Sequence, residues 1–348
     1  MAASHRRSIV WIKEEGLDTP PPLALLSGRG WSAHLLGFGY DRWRRFRIGR
    51  WIRLSVAIGH AAAVALGWRR ATVVVGTHYA GLCAALIRSV WPPARFAVVV
   101  HSVYAIPGSR ERGLLQWIVR AGLRRCDAVI VNSADIGRRI LAEQLVASPS
   151  SVFLLPDGPP VVASPVNGNS KYAFSGGSSG RDWEGLAALV RATSGEVEWV
   201  IACPAPLGSR FIGIPRVRVL TDIPVDEFDA LIAGASIVVA VLLQDRVAGV
   251  TLIRAAQVAG ATVIACGSPY LSEYIESGVD GVLARDIEDG AQWVLRAWRG
   301  EASTTRLRQG ARARAEVDRQ NWHEANVRLA DFLERIDRSR GSAESRTV

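Results

Sequence analysis

ASIVVAVLLQDRVAGVTLIRAAQVAG, Ala235 to Gly260, carries the reading that decides the fold. Its apolar run SIVVAV is continuous rather than alternating, as in a strand covered on both faces. A helical period then opens on Gly249 with no strong side-chain cap ahead of it. Such a start leaves backbone N–H groups pointing outward, where negative charge is favoured. Gly249 permits close approach of a ligand, and the N–H groups of Val250 and Thr251 with the Thr251 hydroxyl are its candidate contacts. Arg246 is placed to face a diphosphate. The plainer alternative is a helix packed on a sheet, with Gly249 present only for the turn.

The same strand-then-helix grammar runs outward in both directions. IVWI, SAHLLGF, TVVVG, FAVVVH, AVIVN and VFLLP mark strands in the first half; YAFSG, EWVIAC, VRVLT, SIVVAV and TVIAC mark them in the second. Two such sets predict two doubly wound α/β domains. The stretch DGPPVVASPVNGNSK, rich in Pro, Gly, Ser and Asn, reads as a linker. The expected organisation is an N-terminal domain over 1–157, a linker over 158–171 and a C-terminal domain over 172–320. A helix over 321–336 and a disordered tail over 337–348 complete the chain.

Composition narrows the function classes. At 348 residues and 49% apolar content the chain can build two cores. The four cysteines, Cys83, Cys126, Cys203 and Cys266, lack zinc or redox spacing, which fits a reducing compartment. No run is long enough for a signal peptide or a membrane span, so a cytoplasmic protein is expected. The net charge is +10, and DRWRRFRIGRWIR, Asp41 to Arg53, concentrates six arginines with Trp43 and Trp51. Residues 42–70 therefore suit an amphipathic helix on an anionic membrane surface at the inner face of the cell membrane, or a domain helix with a solvated arginine face. No nucleic-acid motif accompanies the charge, so nucleic acid is not an expected partner. No aspartate pair or His/Glu cluster has metal-ligand spacing, so no metal is expected.

Ligands in open α/β sheets bind beyond the carboxyl ends of the strands. That rule selects His78 after TVVVG and His101 at the end of FAVVV, each with an ordinary loop residue as its alternative. It also selects AFSGGSSGRDWEGL, Ala173 to Leu186. There Gly176 and Gly177 allow backbone to approach an anion, and Arg181 can add a charge-assisted bond; the alternative is a glycine-rich turn with Asp182 as N-cap. In SPYLSEYIESGVDGVL, Ser268 can cap a helix that contains Glu273.

The order FAVVVHS, RRCDAVIVNSADIGRRI, VFLLPDG, YAFSGGSSGRDW, AGVTLIRAAQVAG, SEYIESGVDGVL resembles retaining nucleotide-sugar glycosyltransferases of the GT-B fold, over roughly Thr72 to Leu283. The resemblance implies an acceptor domain, a C-terminal donor domain, and a cleft that holds a UDP- or GDP-sugar without a further cofactor. The acceptor it implies is a polysaccharide, lipid-linked glycan or small molecule, as in cell-envelope or exopolysaccharide synthesis. By position His101 matches the histidine that faces the donor sugar, and Arg181 a basic residue on the diphosphate. Gly249, Val250 and Thr251 match the helix start that takes the distal phosphate, and the helix around Trp322 would cross back to the first domain. The family's two glutamates, eight positions apart, fall on Arg246 and Arg254 here, with Asp245 adjacent to the first. That departure keeps a second reading open: a catalytically silent GT-B-like protein that binds a nucleotide, a membrane or a partner.

Overall fold

The computed structural model describes residues 7–13, 19–37, 59, 63, 71–76, 78–90, 96–101, 114–158, 160, 172–178, 180–244 and 249–344. Segment 42–70 apart from residues 59 and 63, nearly all of the expected linker, Asp245 and Arg246 lie outside them. The chain divides into two compact units, Met1–Pro156 with His323–Val348, and Asp157–Trp322.

In the first unit, β1 (Ser8–Lys13), β2 (Ser32–Gly37), β3 (Thr72–Val75), β4 (Ala97–His101), β5 (Ala128–Val131) and β6 (Val152–Leu154) form a parallel sheet in the order β2-β1-β3-β4-β5-β6. Helices α1 (Pro21–Gly28), α2 (His78–Val90), α3 (Leu114–Leu123) and α4 (Ala134–Ala142) alternate with the strands. Every residue of β3 and β5 is buried, which explains their unbroken apolar sequence. Ser133 caps α4 by accepting the Ile136 N–H at 3.4 Å.

The second unit has its own parallel sheet, ordered β12-β11-β10-β7-β8-β9. Its strands are β7 (Ala173–Gly176), β8 (Trp199–Cys203), β9 (Val217–Thr221), β10 (Ile237–Val241), β11 (Thr262–Cys266) and β12 (Val282–Leu283). Its helices are α5 (Trp183–Thr193), α6 (Val225–Gly234), α7 (Val250–Ala259) and α8 (Ile287–Trp298), with the start of α9 (Ala302–Glu344). Along β10 and the residue after it the core alternates sides: Ile237, Val239 and Val241 join one apolar cluster, Val238, Ala240 and Leu242 the other. The run SIVVAV is continuous because both faces are covered.

One sequence expectation needs correction. The tail does not begin at 337: α9 is one helix through Glu344. Beyond His323 it packs Leu329, Ala330, Phe332 and Leu333 into the core of the first unit. Asp337 accepts a bond from Thr72 Oγ1 at 3.4 Å and pairs with Arg7 at 3.6 Å, and those contacts hold the helix beyond the point where its apolar period fades. The segment with Glu273 is a 3-10 helix, Pro269–Glu273, capped by Ser268, which accepts the Tyr270 N–H at 3.4 Å; Tyr270 and Leu271 are buried.

Candidate functional site

In the second sheet, β7 and β10 are neighbours while the chain winds from β7 toward β8 and β9, and from β10 toward β11 and β12. That reversal opens a crevice at the carboxyl ends of β7 and β10, the usual ligand position in open α/β sheets. The loops leaving these two strands are those that carry Gly176, Gly177 and Arg181, and Gly249, Val250 and Thr251.

Backbone bonds draw the two loops together. The Asp182 N–H donates to Val241 O and the Leu243 N–H to Gly180 O, each at 3.0 Å. This brings the Arg181 side chain under the start of α7. Arg181 is only 7% exposed. Its Nε donates to Gly176 O at 2.7 Å, whereas its Nη1 is buried without a hydrogen-bond partner among the described residues. Burial lowers the guanidinium well below its ordinary value, to about 10, so it stays charged at neutral pH. Both flanking glycines have left-handed φ, +123° at Gly177 and +76° at Gly249. A Cβ on Gly177 would lie 2.8 Å from Arg181 Nη2, and one on Gly249 2.6 Å from Nη1. The guanidinium is thus wedged between the two glycine turns, and a side chain at either would collide with it.

The start of α7 is bare. Gly249 offers no side-chain cap, and the first turn holds no acidic residue. Val250 is buried and Thr251 exposed. At the opposite end, Arg308 Nε donates to Gly260 O at 2.9 Å, a cation in its favourable place at a helix C-terminus. The N-terminus faces a cation as well, the wrong sign for the helix dipole unless an anion comes between. The start of α5 is different. Asp182 caps it by accepting the Gly185 N–H at 3.0 Å, so the plain-turn alternative holds for that helix. Among the described residues the crevice therefore has one uncapped helix start, at α7, with Gly177 and Arg181 beside it.

The other sequence-selected residues are placed as follows. His101 ends β4 in the first unit, half-buried, its ring 5.8 Å from that of Trp11. His78 opens α2, and its side chain lies outside the described residues. The Glu273 carbonyl accepts a bond from Arg314 Nη2 at 3.2 Å. Asp245 and Arg246 are not described.

A buried charge cluster lies on the flank of α7; the sequence singles out Arg254 but not Asp318, Arg314 or Asp280 as its companions. Arg254 is 3% exposed and ion-pairs with Asp318 of α9, while its guanidinium lies 5.3 Å from the Tyr274 ring centre. Arg314 Nε bonds Asp318 Oδ2 at 3.0 Å, and its Nη1 bonds Asp280 Oδ2 at 3.5 Å. Burial first, then Arg314, lowers Arg254 to about 10, against the raising influence of Tyr274, Asp157 and Asp280. The signal in sequence was a single charged residue, Arg254, in a mostly apolar helix.

No family model matches this sequence, and no curated protein does. Solved structures do match in fold. Sucrose-phosphate synthase from Thermosynechococcus elongatus aligns at TM-score 0.72 and 14% identity, over 96% of this chain and 100% of that one. Anabaena Alr3699/HepE in complex with UDP aligns at TM-score 0.64 and 14% identity, over 94% and 100%. The lipopolysaccharide outer core galactosyltransferase WaaB aligns at TM-score 0.62 and 14% identity, over 94% and 99%. The chain therefore has the GT-B fold, two parallel six-stranded sheets with interleaved helices, in common with these glycosyltransferases.

Proposed function

We propose that the protein is a glycosyltransferase that binds a nucleoside diphosphate sugar and moves the sugar to a glycan, lipid-linked or small-molecule acceptor, with retention at the anomeric carbon. One observation carries this reading: the buried, unpartnered Nη1 of Arg181 against the uncapped start of α7. A diphosphate supplies what both lack. It caps the free N–H groups of Val250 and Thr251, and it accepts from Nη1. The same contacts strengthen as the bond from the anomeric carbon to the diphosphate oxygen breaks and charge gathers on the leaving group. Fixed dipoles and an arginine do this work here, so the reading includes neither metal nor cofactor. Thr251 is exposed and adds a hydroxyl at the same helix start. His101 and Asp245 are assigned to the donor sugar, and His78, Arg246 and Glu273 to substrate binding.

That HepE was solved with UDP and with UDP-glucose makes UDP the first nucleotide to try. Titration of UDP and GDP against native protein and Arg181→Ala tests the site. The account expects clear weakening in the variant, and equal affinity removes Arg181 from it. Turnover of a UDP- or GDP-sugar panel with a membrane and glycan extract tests the reaction.

One observation favours the catalytically silent alternative. Arg254 occupies the place of a glutamate in the enzymes the sequence resembles, and it is spent on an internal ion pair. Nucleotide binding without turnover of any donor would support that reading. Cytoplasmic location with attachment to an anionic membrane surface through residues 42–70 belongs to the proposal as well. Among the described residues, no helix is long and apolar enough to cross a membrane.

A further inference from the structure

The buried cluster on the flank of α7 calls for an explanation other than stability. A buried ion pair contributes little compared with apolar residues of the same volume. The helix around Arg254 is otherwise suited to a plain core, since Leu252, Ile253, Ala255, Ala256 and Ala259 are all buried. Arg254 is the one charged residue of α7. It stands about 8 Å along the axis from Gly249, at 1.5 Å per residue, and helical side chains lean toward the N-terminus. Its charge is set against named partners. Asp318 pairs with it, Arg314 repels it, and Asp280 and Asp157 attract it. Asp318 in turn is shared with Arg314.

We propose that Arg254 and Asp318 form a buried charge pair that sets how strongly the start of α7 holds a diphosphate: Arg254 raises the positive potential there and Asp318 trims it. The pair acts through the helix and touches no ligand, so both are positioning residues in the electrostatic sense. The inference rests on the reading that α7 receives an anion. Its physical basis is that solvent screens buried charges poorly, so a unit charge roughly 10 Å from a phosphate, at an effective dielectric of about 30, changes affinity by about fivefold.

Isothermal titration of the full chain with inorganic pyrophosphate and with UDP tests it. Arg254→Met removes the cation and leaves Asp318 its bond to Arg314, so both ligands bind about fivefold more weakly. Arg254→Lys keeps the cation and restores affinity. Asp318→Asn leaves the cation less compensated and tightens binding by a similar factor. A merely structural pair gives the opposite pattern for the last variant, because breaking the pair from either side then weakens the site. Shifts of the same sign in R254M and D318N, or no shift in either, overturn the inference. If D318N does not fold, R254M against R254K decides it: weakening in R254M that R254K reverses upholds it, and weakening in both or in neither overturns it. Absence of binding by the native chain sinks the anion reading itself, and this inference with it.

Discussion

Replacing Arg181 by methionine separates stability from ligand binding at one residue. Burial lowers its guanidinium well below the ordinary value, to about 10, which corresponds to about 3 kcal/mol against holding that charge in the folded state. The bond from Nε to Gly176 O returns part of this, on the order of 1.5 kcal/mol for a charged donor. Methionine fills the wedge between the two glycine turns without a charge to desolvate. The ligand-free variant is therefore more stable by about 1–2 kcal/mol, a melting temperature higher by roughly 4 °C for a unit of this size. UDP binding moves the other way, since a charge-assisted bond worth about 2 kcal/mol is lost, roughly thirtyfold in Kd. The pH dependence has a defined sign. Below pH 10 Arg181 is charged in both states and its penalty is constant. Above about 10 the unfolded chain still holds the proton that the native state releases, so the native protein gains stability from this residue as pH rises. R181M lacks that gain. Thermal denaturation with and without saturating UDP, for both proteins, reads all of this. A variant that melts lower than native without ligand, yet keeps native UDP affinity, refutes the reasoning.

Three further outcomes are expected. Gly249→Ala places a Cβ at φ +76° and 2.9 Å from Leu242 Cδ2, so it loses about 1–3 kcal/mol in denaturant titration and weakens UDP binding. His101→Ala, at the end of β4, lowers kcat at least tenfold in a donor-turnover assay while UDP affinity in the second unit stays within about twofold; a loss confined to UDP affinity contradicts its assignment to the donor sugar. Changing Arg42, Arg44, Arg45 and Arg47 to glutamine abolishes co-sedimentation with anionic liposomes at low salt, whereas unchanged sedimentation removes the membrane role of residues 42–70.

The parts of the fold legible in sequence are those fixed by burial on both sides. TVVV and IVVAV announced buried strands because no residue in them faces water. Val282–Leu283 did not, since two residues carry no period, and the strand exists through its pairing with β11. The end of α9 was hidden because Asp337 is held by Thr72 and Arg7, contacts far away along the chain. At the site, glycine and arginine spacing pointed to Gly177, Arg181 and Gly249, since only glycine accepts the left-handed turns that let the guanidinium in. The capping difference was legible as well: Asp182 precedes α5 and caps it, whereas glycine precedes α7 and offers no side chain to do so. The partner of Arg254 was not, because Asp318 arrives on a different helix.

The central claim is that the start of α7 and Arg181 together receive a diphosphate. The most direct measurement is a crystal structure of the protein with UDP. The account predicts a phosphate within hydrogen-bond distance of Arg181 Nη1 and of the N–H groups of Val250 and Thr251. A diphosphate bound elsewhere, with Nη1 still unpartnered, contradicts it.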